Sequence, residues 1–157
     1  MATEDSLTYS EEAQRILQTV AATVQQEAHS RIAGVVSRCL EYVFEDPYEF
    51  RIEFEEKRGR TEANLVFVRN GNVLDPLQAS GGGAIDVASF ALRLACLVLS
   101  RPALRRLLVL DEPFKNLSAA YRPKISSLLG ALSAEMGVQI LMVTHDPVFQ
   151  VGKVVEL

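Results

Sequence analysis

The most informative stretch of the sequence is Leu107-Leu108-Val109-Leu110-Asp111-Glu112-Pro113, in which four aliphatic residues lead into two carboxylates and a proline. A continuous apolar run that ends at a breaker predicts a strand buried on both faces of a parallel sheet. Ligands of open α/β sheets bind beyond the carboxyl ends of such strands. Because adjacent carboxylates are costly to bury unpaired, Asp111 and Glu112 predict a bound cation or an open cleft. A plain acidic turn is the alternative.

A second strand of the same kind follows one helix later. Residues 120–136 carry apolar side chains on one face, and Gly137 suits a helix C-cap. The aliphatic run 138–143 then ends in Thr144-His145-Asp146. Strand, helix and strand of this size predict a right-handed βαβ unit, which places His145 at the same sheet edge as the acidic pair. A catalytic role for His145 competes with an ordinary structural hydrogen bond.

A glycine-rich turn, Ala79-Ser80-Gly81-Gly82-Gly83, precedes a predicted helix over residues 84–99. Ser80 is the predicted N-cap, and the glycines leave the first backbone N–H groups of the helix unobstructed. A helix start of this kind attracts an anion such as phosphate. The alternative is a flexible glycine loop in front of a capped helix.

The N-terminal third predicts a long helix followed by a hairpin. Apolar residues recur at helical spacing from about Leu7 to Val43, with a start near Ser10. This length favours a coiled-coil arm or packing on another chain, although an ordinary core helix fits equally well. The remaining predicted elements are strands at Tyr48–Phe54 and Ala63–Val68 joined by the turn Lys57-Arg58-Gly59-Arg60, a turn at Asn70-Gly71 before Val73-Leu74, and a closing strand at Lys153–Leu157.

The bulk composition favours one ordinary globular domain. The chain has 157 residues, of which 48% are hydrophobic and 23% charged. A net charge of −4 argues against a nucleic-acid binder that uses its whole surface. No apolar run approaches the roughly 20 residues of a membrane span, and residues 1–10 lack the features of a signal peptide. Cys39 and Cys96 predict buried free thiols in a reducing cytosol rather than a metal site.

Four stretches, in this order along the chain, resemble motifs of the C-terminal lobe of an ABC-type ATPase head. Residues 79–83 resemble the signature motif and residues 107–112 the Walker B motif. Residues 114–118 resemble the D-loop, and His145 resembles the switch histidine. The resemblance is strongest to the DNA-maintenance branch of SMC, RecN and SbcC-type proteins. It implies an α/β fold, the C-terminal lobe of a P-loop NTPase, with a mostly parallel sheet flanked by helices and a small antiparallel hairpin. Residues 1–46 would form a coiled-coil stub and residues 47–157 the lobe.

The resemblance also implies roles for individual residues. Asp111 would hold Mg²⁺ through water, Glu112 would orient the water that attacks ATP, and His145 would bond the γ-phosphate. The residues expected to contact the nucleotide of an opposing head are Ser80, Gly81, Gly82, Gly83 and Ser118. Three positions depart from the family pattern: Gly83 replaces Gln or Glu, Phe114 replaces Thr, and Ser118 replaces the D-loop Asp.

The sequence contains no G-x-x-x-x-G-K-S/T phosphate loop. Because that loop supplies most of the affinity for the nucleotide, we expect the chain alone to bind ATP poorly. An N-terminal ATPase lobe, on another chain or in upstream sequence, would complete the site and confer ATPase activity.

The leading hypothesis is therefore the catalytic half of a split or truncated SMC/SbcC-like ATPase. It would hydrolyse ATP with Mg²⁺ across a dimer of two heads, in the cytoplasm and away from membranes, in DNA repair, recombination or chromosome or phage genome metabolism, with any contact to DNA expected to be indirect. A non-hydrolysing interaction or regulatory module with the same fold is the alternative, and an unrelated α/β metal enzyme is a third option.

Overall fold

The computed structural model describes residues 2–57, 60–79 and 81–155, apart from the side chains of residues 2–8, 56, 60, 78 and 79. Two compact units divide the chain between Arg31 and Ile32. This division lies inside the first helix. The last turns of that helix belong to the hydrophobic core of the second unit.

Helix α1 spans Ala2–Val43. Its predicted start near Ser10 is wrong, because the helix runs through Ser10 without interruption. In the first unit, the apolar residues of α1 are exposed over 54–70% of their surface; they are Ile16, Leu17, Val20 and Val24. In the second unit, α1 buries Val36, Cys39, Leu40 and Val43. Burial raises the pKa of the Cys39 thiol to about 11, so this thiol is a neutral core group.

An antiparallel sheet of β1 (Glu49–Lys57), β2 (Arg60–Arg69) and β3 (Asn72–Leu74) follows. The predicted pairing of the two hairpin strands is confirmed, with Lys57 opposite Arg60. Arg58 and Gly59 of the predicted turn lie outside the described residues. The predicted Asn70-Gly71 turn is confirmed as well, since both residues have positive φ, at 52° and 78°. The Ser37 hydroxyl accepts a 2.9 Å hydrogen bond from the Phe50 N–H, which joins this sheet to α1.

The second half of the chain forms an α/β unit, as the sequence predicts. Its elements are α2 (Pro76–Ala79), α3 (Gly82–Leu99), β4 (Leu107–Asp111), α4 (Arg122–Met136), β5 (Gln139–Val143) and a 3₁₀ turn (Pro147–Phe149). Strands β4 and β5 pair in parallel, and Gly137 ends α4 in the left-handed conformation expected of a C-cap. Of the predicted closing strand, residues 153–155 are not extended into a sheet, and Glu156 and Leu157 lie outside the described residues.

The two faces of the parallel sheet differ in burial. Leu108 and Leu110 are buried in the core, but Leu107 and Val109 are 38% and 63% exposed. The prediction that β4 is buried on both faces is therefore wrong. An apolar run shows that both faces suit burial, but the described residues of this chain cover only one of them.

Helix α3 is long and apolar enough to cross a membrane by length and composition alone. Its position in the fold explains that composition, because Val87, Phe90, Ala91 and Leu94 are buried in the hydrophobic core. Cys96 on the same helix is exposed, so the prediction of a second buried thiol is wrong.

Candidate functional site

The carboxyl end of β4 carries the two acidic residues. Asp111 is the last strand residue, is exposed, and stands opposite Val143 in the parallel register. The Glu112 N–H donates to the Val143 carbonyl at 3.0 Å, while Glu112 itself has a φ of +41°. A non-glycine residue in this region is strained, and such strain is concentrated at functional sites. The backbone thus turns sharply at the point where the carboxylate of Glu112 leaves the strand.

His145 lies next to Glu112 at this edge. The Glu112 Oε1 atom accepts a 2.7 Å hydrogen bond from the backbone N–H of His145. The imidazole Nε2 lies 3.6 Å from the same oxygen, and the His145 side chain is 95% exposed. The structure therefore brings both predicted catalytic residues together, with the carboxylate held by the backbone and the imidazole open to solvent.

The glycine turn packs against the loop after β4. Gly81 occupies the N-cap position of α3, which begins two residues earlier than predicted, and Ser80 lies outside the described residues. A Cβ atom at Gly82 would lie 2.7 Å from the Asn116 Cβ, and one at Gly83 would lie 3.2 Å from the Leu117 Cα. Gly82 is thus required for this close approach, whereas a side chain at Gly83 would need the neighbouring Leu117 to move by a few tenths of an ångström.

Asp86 fastens these two segments to each other. Its carboxylate accepts a 2.8 Å hydrogen bond from the Asn116 N–H and a 3.3 Å bond from the Asn116 side-chain amide. Phe114 anchors the same loop from below, because its ring is buried between Phe90 and Phe149 with ring centroids 5.5 and 5.4 Å away. The departure from threonine at position 114 therefore has a structural explanation: the ring belongs to the core.

The glycine turn and the D-loop segment share one cleft of about 400 Å³. Its lining includes Gly81, Gly82, Gly83, Asn116 and Ser118 together with Asp46, Tyr48 and Arg69. Asp111, Glu112 and His145 are not among the lining residues. The cleft therefore brings the described glycines of the turn and Ser118 together without the predicted catalytic residues.

Arg69 is a cleft residue that the sequence analysis missed. Its guanidinium bonds the Asp46 carboxylate, donates a 3.0 Å hydrogen bond to the Tyr48 hydroxyl, and lies 4.9 Å from the centre of the Tyr48 ring. The hydrogen bond to Asp46 raises the pKa of Arg69 above its usual value. These contacts keep a permanently charged group at the rim of the cleft.

Arg122 is a second residue that sequence reasoning did not find. Its Nε donates a 3.0 Å hydrogen bond to the Leu117 carbonyl, and its other nitrogen bonds the Asp146 carboxylate. Asp146 also accepts a 2.9 Å bond from the Val148 N–H and so caps the 3₁₀ turn. The Asp146-Pro147 pair is a readable capping signal in the sequence, but nothing local indicates the contact with Arg122.

The chain is similar in sequence to ATP-binding proteins of transport systems. No protein-family model matches the chain. The glucose import ATP-binding protein GlcV of Saccharolobus solfataricus is 37% identical over 95 residues, which are 59% of this chain and 25% of GlcV. The chain spans about a quarter of the length of this relative.

Solved structures give the fold. A chain from work on ATP-driven dimerization and DNA-stimulated activation of SMC ATPases matches with a TM-score of 0.62 at 16% identity, over 81% of this chain and 74% of that one. This chain has the fold of the C-terminal lobe of an SMC-type ABC ATPase head. The Smc head domain of Pyrococcus furiosus, solved with an extended coiled coil and the C-terminal domain of ScpA, matches with a TM-score of 0.58 at 16% identity, over 89% of this chain and 36% of that one. At this level of identity, the likeness to SMC heads shows the fold alone.

Proposed function

We propose that this SMC-type lobe is the catalytic half of a split or truncated ATPase that hydrolyses ATP across a dimer of two heads in DNA repair, recombination or chromosome or phage genome metabolism. The observation that carries the proposal is the Glu112–His145 pair at the carboxyl end of β4 and β5, where the backbone N–H of His145 donates a 2.7 Å hydrogen bond to Glu112 Oε1. The cytoplasm is the compartment proposed for this activity.

Glu112 acts on water in this proposal. One carboxylate oxygen is occupied by the His145 N–H, which fixes the side chain and leaves the second oxygen for the attacking water. Phosphoryl transfer depends on such positioning more than on covalent chemistry. The exposed imidazole of His145 would donate a hydrogen bond to the γ-phosphate. Because the backbone N–H of His145 also bonds Glu112, loss of the γ-phosphate would change the surroundings of the Glu112 carboxylate.

The donor set at this edge fits Mg²⁺. Asp111 is exposed beside Glu112, and no cluster of three His, Cys, Asp or Glu residues is found within residues 2–57, 60–79 and 81–155. Mg²⁺ is commonly held by one or two carboxylates together with water and substrate phosphates. Asp111 would provide one such carboxylate. Bound there, the ion would supply charge neutralisation for the transferred phosphate.

The cleft serves the opposite head. The backbone N–H groups at the start of α3 and the Ser118 side chain would contact the γ-phosphate of a nucleotide held by that head. The lining of the cleft does not include Glu112. This supports an arrangement in which each nucleotide lies between the catalytic edge of one head and the cleft of the other. ATP would join the heads, and hydrolysis would release them.

We predict that Glu112→Gln in the assembly with a phosphate-loop polypeptide lowers kcat for ATP by about 100-fold or more, since a positioned general base contributes about that much. The same variant should accumulate as an ATP-bound dimer in sedimentation experiments. Glu135→Gln, at an exposed position near the end of α4, is the matched control and should hydrolyse ATP at the normal rate. Normal hydrolysis by Glu112→Gln would remove Glu112 from this role.

Calorimetry separates this proposal from the non-hydrolysing alternative. Titration of ATP with Mg²⁺ should give weak binding to this chain alone and tight binding once a phosphate-loop polypeptide is present. Tight binding by the chain alone would contradict the half-site proposal. Tight binding to the assembly without turnover would support the regulatory module.

A further inference from the structure

The charges that line the cleft are unfavourable for a phosphate group. Among the described residues of the lining, Arg69 is the only cation, whereas Glu45 and Asp46 both carry a carboxylate. The lining therefore holds more negative than positive charge. A phosphate group that enters the cleft is repelled by the two carboxylates unless the Arg69 guanidinium meets it directly.

Two partners hold the Arg69 guanidinium at the cleft. Its Nε donates a 2.8 Å hydrogen bond to Asp46 Oδ2, and one terminal nitrogen, Nη2, bonds the same oxygen. The other terminal nitrogen, Nη1, donates a 3.0 Å hydrogen bond to the Tyr48 hydroxyl. Within the described part of the chain these contacts use one N–H of each nitrogen, which leaves the second N–H of both terminal nitrogens for a further acceptor.

The ion pair between Arg69 and Asp46 is open to solvent. The Arg69 side chain is 34% exposed and the Asp46 side chain 58% exposed. Because water screens an exposed ion pair, the pair contributes little to stability and Asp46 is readily exchanged for a stronger acceptor. A phosphate group is such an acceptor, since it carries more charge than a carboxylate and its oxygens match the planar fork of a guanidinium.

The start of α3 lines the same cleft as Arg69. Gly81 is the N-cap of this helix, Gly82 and Gly83 are its first residues, and Ser118 adds a hydroxyl to the lining. These groups offer neutral donors, whereas Arg69 offers a full positive charge. The volume of about 400 Å³ lies in the range of ordinary small-molecule sites. Arg69 therefore supplies the charge that a polyphosphate needs and that the helix start lacks.

We propose that Arg69 is a phosphate-binding residue of the cleft and that Asp46 holds its guanidinium until a phosphate group arrives. The guanidinium then leaves the Asp46 oxygen and donates to the phosphate. Its contacts with the Tyr48 hydroxyl and with the Tyr48 ring, whose centre lies 4.9 Å away, keep it at the cleft. That the phosphate belongs to a nucleotide of an opposing head rests on the proposed function, whereas the role of Arg69 rests on the charges and contacts of the cleft.

Titration of the full chain with inorganic triphosphate tests this role without a partner polypeptide. Binding is followed at low ionic strength through the NMR signals of the Gly81, Gly82 and Gly83 backbone amides. Arg69→Ala should weaken binding about tenfold or more, because the loss of a hydrogen bond to a charged group has an effect of that size. Asp46→Asn should strengthen binding about threefold, because it removes one of the repelling carboxylates and frees the guanidinium.

Arg51 and Glu49 provide the matched control pair. They form an exposed ion pair with a 2.7 Å contact on β1, and neither residue lines the cleft. Arg51→Ala and Glu49→Gln repeat the two changes of net charge and should each alter triphosphate affinity by less than about twofold. Opposite shifts in Arg69→Ala and Asp46→Asn identify a binding role, because both variants break the same ion pair and a purely structural pair would give both the same effect.

Arg69→Lys guards against loss of the fold in Arg69→Ala. It keeps the charge but not the fork, so its triphosphate affinity should lie between those of Arg69→Ala and the unmodified chain, with an unchanged melting temperature. Triphosphate binding by Arg69→Ala at the normal affinity would overturn the proposal. Weaker binding in both Arg69→Ala and Asp46→Asn would also overturn it, and so would a lack of shifts at the three glycine amides of the unmodified chain.

The same variants keep this proposal distinct from the proposed function. The expected triphosphate shifts, together with normal ATP hydrolysis by the Glu112→Gln assembly, would leave the role of Arg69 standing and refute the catalytic role of Glu112. Normal triphosphate binding by Arg69→Ala, together with lost hydrolysis in Glu112→Gln, would do the reverse.

Discussion

At the scale of single residues, the contact between the glycine turn and the D-loop segment depends on the absence of a side chain at Gly82. Gly82 and Asn116 approach so closely that a Cβ on the glycine would lie 2.7 Å from the Asn116 Cβ. The Asn116 Cβ is fixed to the backbone and has no rotamer by which to move away. The approach therefore depends on glycine at this position, and the family resemblance and the packing agree on the same residue.

We predict that Gly82→Ala destabilises the chain by about 1–3 kcal/mol, which is the usual range for overpacking. The measurement is urea unfolding followed by circular dichroism. Gly130→Ala is the matched control, because Gly130 lies inside α4 with nothing within 4 Å of an added Cβ. Replacing a helix-interior glycine by alanine should raise stability by about 0.5–1 kcal/mol, so the two variants should move in opposite directions. Equal shifts would show that the close approach is unimportant.

The backbone conformation of Glu112 could not be predicted from the sequence, although its position in the fold could. Its position after an apolar strand was predictable, and so was the edge it shares with His145. The positive φ of Glu112 was not, because a glutamate carries no signal for the left-handed region. The hydrogen bond from the His145 N–H provides the tertiary context that holds it there.

At the scale of elements, sequence periodicity predicts which segments are helices and strands better than it predicts what they touch. The two hairpin strands, α3, α4 and both parallel strands follow from apolar spacing and from turn residues such as Asn70-Gly71 and Gly137. Their contacts do not, as β4 illustrates: the apolar run 107–110 predicts burial on both faces, but the described residues of the chain cover only one face. Asp86 and Arg122 were missed for a related reason, since their partners lie 30 and 24 positions away along the chain.

Arg122, the first residue of α4, joins two loops at the carboxyl edge of the sheet. We predict that Arg122→Ala costs about 1–3 kcal/mol in urea unfolding, because the Leu117 carbonyl and the Asp146 carboxylate both lose a partner in a half-buried position. Arg122→Lys should recover only part of this loss, since an ammonium group lacks the fork that reaches both oxygens. Exposed Arg93 on α3, changed to alanine, is the control and should alter stability by less than about 0.5 kcal/mol. No difference between the Arg122 and Arg93 variants would exclude the bridging role.

At the scale of the whole molecule, the two compact units predict different tolerance to truncation. The first unit ends at Arg31, and α1 residues 9–28 are exposed along their length. The next turns of the same helix contribute Val36, Leu40 and Val43 to the core, each fully buried. The described side chains of α1 are thus exposed in the first unit and contribute to the core in the second.

We predict that a chain of residues 32–157 folds cooperatively, with a Tm within a few degrees of the full chain, because deletion of residues 1–31 removes no side chain from the core cluster. Deleting residues 1–43 is the matched control: it also removes three fully buried side chains, each contributing about 1.5–3 kcal/mol by burial. That loss is comparable to the entire stability of a small domain, so the shorter chain should not show a cooperative melt. Calorimetry distinguishes the two cases. Loss of a cooperative melt already in the chain of residues 32–157 would contradict this prediction, because it would show that residues 1–31 belong to the same folding unit.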